Sequence, residues 1–258
     1  MKNCSTDVLI VGAGPTGLFL SNLLASHHIK NILIEKNSST VKEPRAVSID
    51  DESLRVIQSL GLINQFINKI SLNCGSYYIS PNGRIFATIN PSSKLYGFPK
   101  RNSFDQPDLE DLLLKNLQVK YKLNVFFDTK FLNFYQKKDM VCSKVISKKN
   151  RFQINSKFIV GCDGANSILR KLLDIKLLGS SYKEKWLILD LFNSSNKFRH
   201  TQVFCDVRRP CITLPGPRGI RRYEFKLHKS ENEKDCLNFI FIKQLLTQKG
   251  ENDYSSIR

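Results

Sequence analysis

Hydrophobic and polar positions divide the chain into elements of two periods. Residues 7–11 form a short apolar run that passes through Gly12-Ala13-Gly14-Pro15-Thr16-Gly17 into helically spaced apolar positions over residues 18–24. A second apolar strand over residues 31–34 follows, which predicts a β-α-β unit at the start of the chain. Residues 51–60 predict a helix with Leu54, Ile57 and Leu60 on one face, Asp50 or Asp51 as its cap and Gly61 at its end. From Cys74 to Asn90 the period falls to two. Residues 77–80 and 84–89 flank Pro81-Asn82-Gly83, predicting a hairpin with an Asn-Gly turn that belongs to a different sheet. Gln106-Pro107-Asp108 opens a helix through Gln118, with Leu109, Leu112, Leu113 and Leu117 as its buried face. A strand-rich stretch over residues 124–160 ends where a strand again stops at glycines, Gly161-Cys162-Asp163-Gly164, and a helix capped by Asn166 or Ser167 begins. Trp186 and a strand holding Tyr223, Glu224 and Phe225 fall to the second sheet, with aromatics there read as core, and residues 241–248 read as a helix.

The strand-glycine-helix order at the amino terminus carries chemistry. Gly12 permits a tight turn off the strand, Gly14 lets the backbone approach a pyrophosphate, and Gly17 lets the helix pack against the sheet. Free N–H groups and the positive end of the helix dipole then face the anion. The second strand ends in Glu35, 18 positions after Gly17, where an acid is the expected acceptor for ribose hydroxyls. These features point to a dinucleotide cofactor. At the second strand-to-helix junction Asp163 stands at a strand's carboxyl end, the position that faces such a crevice. Capping its own turn is the competing role for that residue.

Composition narrows the class. A chain of 258 residues with 41% hydrophobic content can bury a full core in one large domain or two modest ones, which excludes a disordered chain. Apolar runs such as 8–11 and 239–242 are too short to span a bilayer, and no signal-peptide pattern precedes the first strand, so the expectation is a soluble, cytoplasmic protein. The seven cysteines are scattered, odd in number and without a CxxC pair, which indicates neither a metal site nor a disulfide framework, only reduced and mostly buried thiols. The formal charge of +17 invites a polyanion partner. Its clusters are short, however, as at Lys137-Lys138, Lys148-Lys149 and Arg221-Arg222, and no basic-aromatic motif appears. No nucleic-acid partner is expected, and a lysine-rich solvated surface that aids capture of anionic ligands is the preferred reading. No Ser-His-Asp or Cys-His set stands out, and His27-His28 reads as helix-terminal charge.

The motif set GAGPTG, Glu35, Pro44-Arg45-Ala46, Gln106-Pro107-Asp108-Leu109-Glu110 and Gly161-Cys162-Asp163-Gly164-Ala165-Asn166-Ser167 resembles the FAD-dependent aromatic hydroxylases, the single-component flavoprotein monooxygenases related to para-hydroxybenzoate hydroxylase. The segments 184–191, 205–206, 214–217 and 221–225 are similar to the branch that hydroxylates 3-(3-hydroxyphenyl)propionate. The resemblance implies an FAD cofactor and NAD(P)H as co-substrate. It places Gly12, Gly14, Pro15, Thr16 and Gly17 around the pyrophosphate, Glu35 on the adenosine ribose with Lys36 beside it, Arg45 and Gln106 near the ribityl-pyrophosphate, and Asp163 on a ribityl hydroxyl. Arg170 is assigned a weaker electrostatic role toward the reductant. The partners it implies are a small aromatic substrate and molecular oxygen; the catalytic side chains and the oligomeric state stay open, because the cofactor carries the chemistry.

The same resemblance marks a departure. Family members carry a second Gly-Asp motif followed by Ala-Ala-His and a Pro- and Gly-rich stretch, and nothing over residues 226–258 matches it, so the chain resembles a hydroxylase truncated at its carboxyl end. The expected fold is α/β (α+β overall), with a discontinuous Rossmann-type FAD-binding domain over residues 1–72 and 100–180 and an antiparallel substrate-side sheet over 73–99 and 181–258 that is incomplete at its carboxyl end. A non-catalytic remnant, or a flavin-dependent reductase or dehydrogenase of the same fold, are the alternatives.

Overall fold

The computed structural model describes residues 4–148 and 150–258, so Lys149 of the Lys148-Lys149 pair lies outside the described residues. In chain order the elements are β1 (Cys4–Val11), α1 (Pro15–Ser26), β2 (Asn31–Ile34), β3 (Ser48–Asp50), α2 (Asp51–Ser59), α3 (Ile63–Phe66), β4 (Ser76–Ile79), β5 (Ile85–Ile89), β6 (Arg101–Ser103) and α4 (Gln106–Val119). They continue with β7 (Thr129–Lys137), β8 (Met140–Ser147), β9 (Asn150–Gly161), α5 (Ile168–Leu172), β10 (Trp186–Leu191), β11 (Thr201–Phe204), β12 (Cys211–Pro215), β13 (Arg221–Lys226), α6 (Glu233–Cys236) and α7 (Phe239–Thr247). The chain divides into two compact units, Met1–Pro44 with Gln106–Gly179, and Arg45–Asp105 with Ser180–Arg258.

The first unit holds a five-stranded sheet in the order β2-β1-β9-β8-β7. β1 runs parallel to both β2 and β9, whereas β7, β8 and β9 form an antiparallel meander. Val8 to Val11 are all buried, as expected of a parallel strand covered on both faces. One core gathers Leu9, Val11, Ile34, Phe131, Val145, Ile154 and Leu169. Among the helices, α1 meets α4 through Asn22, whose Nδ2 donates to the Leu18 carbonyl at 2.8 Å and to the Leu113 carbonyl at 3.1 Å, while its oxygen accepts from Asn116 at 2.8 Å. Leu109, Leu112, Leu113 and Leu117 are buried, the face that the spacing in α4 predicts.

The second unit is built on a six-stranded sheet, β10-β13-β12-β11-β4-β5. The Asn-Gly hairpin joins it, with Gly83 at φ 84°, and α2 is capped by the Asp50 side chain accepting from the Ser53 amide at 2.8 Å. The sheet is antiparallel except where β4 lies parallel to β11, a pairing between segments far apart in sequence. Residues 45–72 and 100–105, assigned by the sequence reading to the cofactor domain, group with this second unit. β3 pairs with β6, Ser71 bridges to Ser103, and the Ser103 hydroxyl donates to the Pro215 carbonyl, which ties the whole layer to the six-stranded sheet. On one sheet face α7 packs Leu245 and Leu246 against Leu187, Leu189, Leu191, Cys211, Tyr223 and Phe225, so both aromatics of β13 are core, with rings stacked 6.0 Å apart. All seven cysteines are free, and burial pushes the Cys211 thiol up to about 12.

Two buried polar knots hold this unit. Arg222 grips Asp190 in a fork, Nε to Oδ1 at 2.7 Å and Nη2 to Oδ2 at 2.9 Å, and Arg258 reaches both Asp190 and Asp105. Glu251 is fully buried and accepts from the hydroxyls of Ser194, Ser195 and Tyr223 and from the Ser195 amide. Burial pushes the Glu251 carboxyl up, but these donors outweigh it and hold the group below its ordinary value. Glu251→Ala leaves three hydroxyls short of an acceptor and is expected to cost about 3 kcal/mol, read as a lower urea midpoint. Because the folded carboxyl is the stronger acid, its contribution is complete above the ordinary carboxylate pKa and is lost as pH falls through the lowered folded value. The stability gap between the native chain and Glu251→Gln should therefore be constant above about pH 5 and shrink below about pH 4.

Candidate functional site

Register creates the site. Val11 lies beside Ile34 on one side and Gly161 on the other, so all three parallel strands end on one line and the residues that follow them meet at one edge of the first unit. The Gly12 amide donates to the Ile34 carbonyl at 2.8 Å, and the Cys162 amide donates to the Val11 carbonyl at 2.7 Å. Strand ends, and the turns to α1 and α5, thereby converge at the crevice where ligands bind in open parallel sheets.

The glycines divide by environment. Gly12 has φ +105°, and a Cβ there would stand 2.4 Å from the Cys162 carbonyl oxygen, so the second junction rests on the first. A Cβ on Gly17 would lie 1.9 Å from the Gly12 oxygen, so α1 can approach the strand only through that glycine. Around Gly14 nothing lies within 4 Å of a built Cβ, which leaves open space at the helix start. Gly14 is the N-cap and supplies no side-chain acceptor, and Pro15 has no N–H to satisfy. The amides of Thr16 and Gly17 are left by helix geometry without intrahelical acceptors, at the positive end of the dipole.

Glu35 follows β2 and is half-buried. Its Oε2 accepts from the Ala13 amide at 2.9 Å and its Oε1 from the Asn37 amide at 2.9 Å. The residue read as a ribose acceptor thus also fixes the glycine turn, and each oxygen keeps a further lone pair. Lys36, next along, is exposed. Asp163 caps α5 with Oδ2, which accepts from the Ile168 amide at 2.7 Å, while its Oδ1 is buried with no hydrogen-bond partner. Capping therefore occupies only one of its two oxygens. Ser167 is the N-cap of that helix, accepting from the Arg170 amide at 3.0 Å.

Other candidate residues have additional local partners. Gln106 is buried and its Nε2 donates to Glu110 Oε1 at 2.7 Å; Glu110, fully buried, also accepts from the Val41 amide at 3.1 Å. Burial pushes the Glu110 carboxyl up against the pull of these donors. Glu110 enters the sequence analysis only as a member of the Gln106–Glu110 motif, with no role of its own, because nothing in the pattern separates a buried acid from a solvated one on the same helix. Arg170 is half-buried and donates from Nη1 to the Ile175 carbonyl at 2.9 Å, bracing the exit of α5 instead of standing free in solvent. Arg45 is the first residue of the second unit, where its carbonyl accepts from Arg222 Nη1 at 3.2 Å. The Cys162 thiol is pushed up by burial and then by the neighbouring Asp163 charge, which marks it as a packing thiol.

An uncapped helix start with room beside it, an acid set on the turn and a buried unpaired carboxylate oxygen fit a dinucleotide with a pyrophosphate and a polyol. A family model described as FAD binding domain matches residues 5–236. The 3-(3-hydroxy-phenyl)propionate/3-hydroxycinnamic acid hydroxylase of Mycolicibacterium smegmatis is 31% identical over 242 residues, covering 94% of this chain and 43% of the relative. The enzyme of that name from Paraburkholderia xenovorans is 33% identical over 235 residues, covering 91% of this chain and 38% of the relative. The chain spans about two fifths of the length of these relatives. Among solved structures, p-nitrophenol 4-monooxygenase from Pseudomonas putida shares the fold at a TM-score of 0.84 and 17% identity, covering 96% of this chain and 62% of that one. The flavin-dependent monooxygenase PieE, in complex with FAD and substrate, does so at 0.83 and 16%, covering 98% and 49%.

The three glycines are expected to separate in a stability assay. Gly12→Ala and Gly17→Ala, which meet backbone atoms, should each lower stability by about 2 kcal/mol or more, while Gly14→Ala, at an ordinary φ of −73°, should stay within about 0.5 kcal/mol. Thermal melts of the three variants check the split.

Proposed function

The chain belongs to the FAD binding domain family, and on that premise we propose that it is the flavin-binding part of an NAD(P)H-consuming aromatic hydroxylase whose substrate is a phenolic carboxylate of the 3-(3-hydroxyphenyl)propionate type. The observation that carries the cofactor part of this reading is the common line on which β1, β2 and β9 end, with Gly14, Glu35 and Asp163 gathered along it. The names of the relatives support the substrate class.

In this reading the Thr16 and Gly17 amides bind the pyrophosphate, Glu35 uses its remaining lone pairs on the adenosine ribose, and the unpaired Oδ1 of Asp163 accepts from a ribityl hydroxyl. Lys36 flanks the ribose, and Gln106 serves the ribityl-pyrophosphate. FAD, when bound, supplies the redox chemistry, taking reducing equivalents from NAD(P)H and activating molecular oxygen for transfer to the ring. The protein's part is to bind, orient and exclude water, which requires no nucleophile or proton-relay triad of its own. No helix among the described residues is long and apolar enough to cross a membrane.

Reconstitution tests the proposal. Purified chain mixed with FAD should give a yellow complex, quench flavin fluorescence, and consume NAD(P)H faster with a phenolic acid than without it while forming a hydroxylated product. NAD(P)H consumption without product would favour a reductase of the same fold. FAD binding without turnover would favour a part that needs the remaining length of its relatives, given coverage of 38–43%. Asp163→Ala is expected to weaken FAD binding roughly tenfold, the loss of a charge-assisted hydrogen bond, read by flavin fluorescence titration.

A further inference from the structure

The antiparallel meander of the first sheet turns one face to the core and one outward. Phe131, Val145 and Ile154 lie on the inner face. On the outer face the register brings together cations that are separated in sequence. Lys130 and Arg151 stand on either side of Ile146 in one row, Lys144 follows between Asn133 and Gln153, and Lys137 lies beside Met140 at the other end. All four are exposed, and among the described residues no carboxylate pairs with them. Lys157, farther along β9, is held by Asp7 at 2.7 Å, and one exposed acid, Asp139, sits in the β7–β8 turn next to Lys138.

Tyr135 occupies the middle of this face. Its hydroxyl donates to Gln153 Oε1 at 3.2 Å, two strands away, so the ring crosses β8 above Cys142. The cysteine is buried beneath it, while the ring keeps 41% of its own surface exposed. Lys137 and Lys144 each stand with Nζ 5–6 Å beyond ring contact, at 6.0 Å from the ring centre. An aromatic plane laid across a sheet and edged by ammonium groups fits an unpaired base flanked by phosphates. Between Thr129 and Lys157, Tyr135 is the only large apolar side chain exposed among the described residues, so the face offers nothing aliphatic to insert into a bilayer. From Lys130 to Lys137 the strip runs about 23 Å along β7. That length suits a polymer better than a single nucleotide.

We propose that this outer face binds single-stranded nucleic acid, with a base stacked on Tyr135 and the backbone phosphates running along Lys130, Lys144 and Lys137. The row that holds Tyr135 passes through Asn155 to Ser5, six residues short of the strand ends at Gly161 and Val11, about 20 Å from the cofactor edge. The surface is therefore separate from the site of the functional reading and does not depend on it. The sequence reading expects no nucleic-acid partner, because the basic clusters are short and no aromatic interleaves with them. Pairing of β7 with β8 supplies that interleaving, since Lys144 reaches Tyr135 from nine positions away.

The experiment follows the fluorescence anisotropy of a labelled single-stranded DNA of mixed sequence as the whole chain is added at several salt concentrations. Affinity should fall with salt at a log–log slope of about −3, four cations at about 0.7 each. Lys137→Gln combined with Lys144→Gln should make the slope shallower by about 1.4. Lys229→Gln combined with Lys234→Gln, both exposed in the second unit, removes the same charge and should leave binding unchanged. Tyr135→Ala should weaken the single strand roughly tenfold at an unchanged slope, and Tyr135→Trp should restore it. Restoration by Trp separates stacking from a loss of fold. Duplex DNA, whose bases are already stacked, should not respond to Tyr135→Ala. No binding, equal effects of the two lysine pairs, or Tyr135→Ala binding like the native chain overturns the assignment. So does an equal loss on duplex and single strand. Displacement by a free mononucleotide at the same phosphate concentration, or capture by phosphatidylserine vesicles without affinity for the strand, overturns it in favour of a small ligand or a lipid surface.

Discussion

The contact on which the first unit depends is that between Gly12 and the Cys162 carbonyl. It lets the turn after β1 and the turn after β9 nest without a side chain between them, and the two parallel strands can then end level. Everything assigned to the cofactor edge follows from that nesting: the opening beside Gly14, the Glu35 carboxylate on the Ala13 amide, and an Asp163 oxygen left over after α5 is capped. A methyl group at position 12 would separate the two turns, so the glycine is demanded by packing between motifs as much as by its left-handed backbone.

The second unit solves a different problem. Its sheet is assembled from segments scattered along the chain, and burying charged groups at the joints fixes which segments meet. Asp190 on β10, Arg222 on β13, Asp105 before α4 and Arg258 form one connected set. Removing a single member of such a buried set strands the others, at a cost of about 3–5 kcal/mol, far more than the set adds over a well-packed apolar equivalent. Specific pairing is therefore a better account of its presence than raw stability.

Much of the fold was legible because local rules and tertiary context agree. The glycine turn, the four leucines of α4, the Asn82-Gly83 hairpin and the cap of α2 are each set by a few adjacent residues. What escaped lies at long range. The parallel pairing of β4 with β11, and the ties of Ser71 and Ser103 to the loop at Pro215 and Gly216, join residues more than a hundred positions apart and leave no periodic trace. They moved residues 45–72 and 100–105 from one unit to the other. At the candidate site, motif spacing identified Glu35 and Asp163 correctly as residues of the strand-end edge. It was silent on the hydrogen bonds that both make to backbone amides, because those depend on how neighbouring turns nest.

The neighbour of β1 on its inner side is synthesised some 150 residues after it. On a ribosome adding roughly 5–20 residues per second, the leading β-α-β piece waits on the order of ten seconds before β9 emerges. Throughout that interval one edge of β1 has no strand beside it and its apolar run is unshielded. The nascent protein is thus most vulnerable to mispairing, and most in need of a holding chaperone, before the edge that would grip a dinucleotide exists.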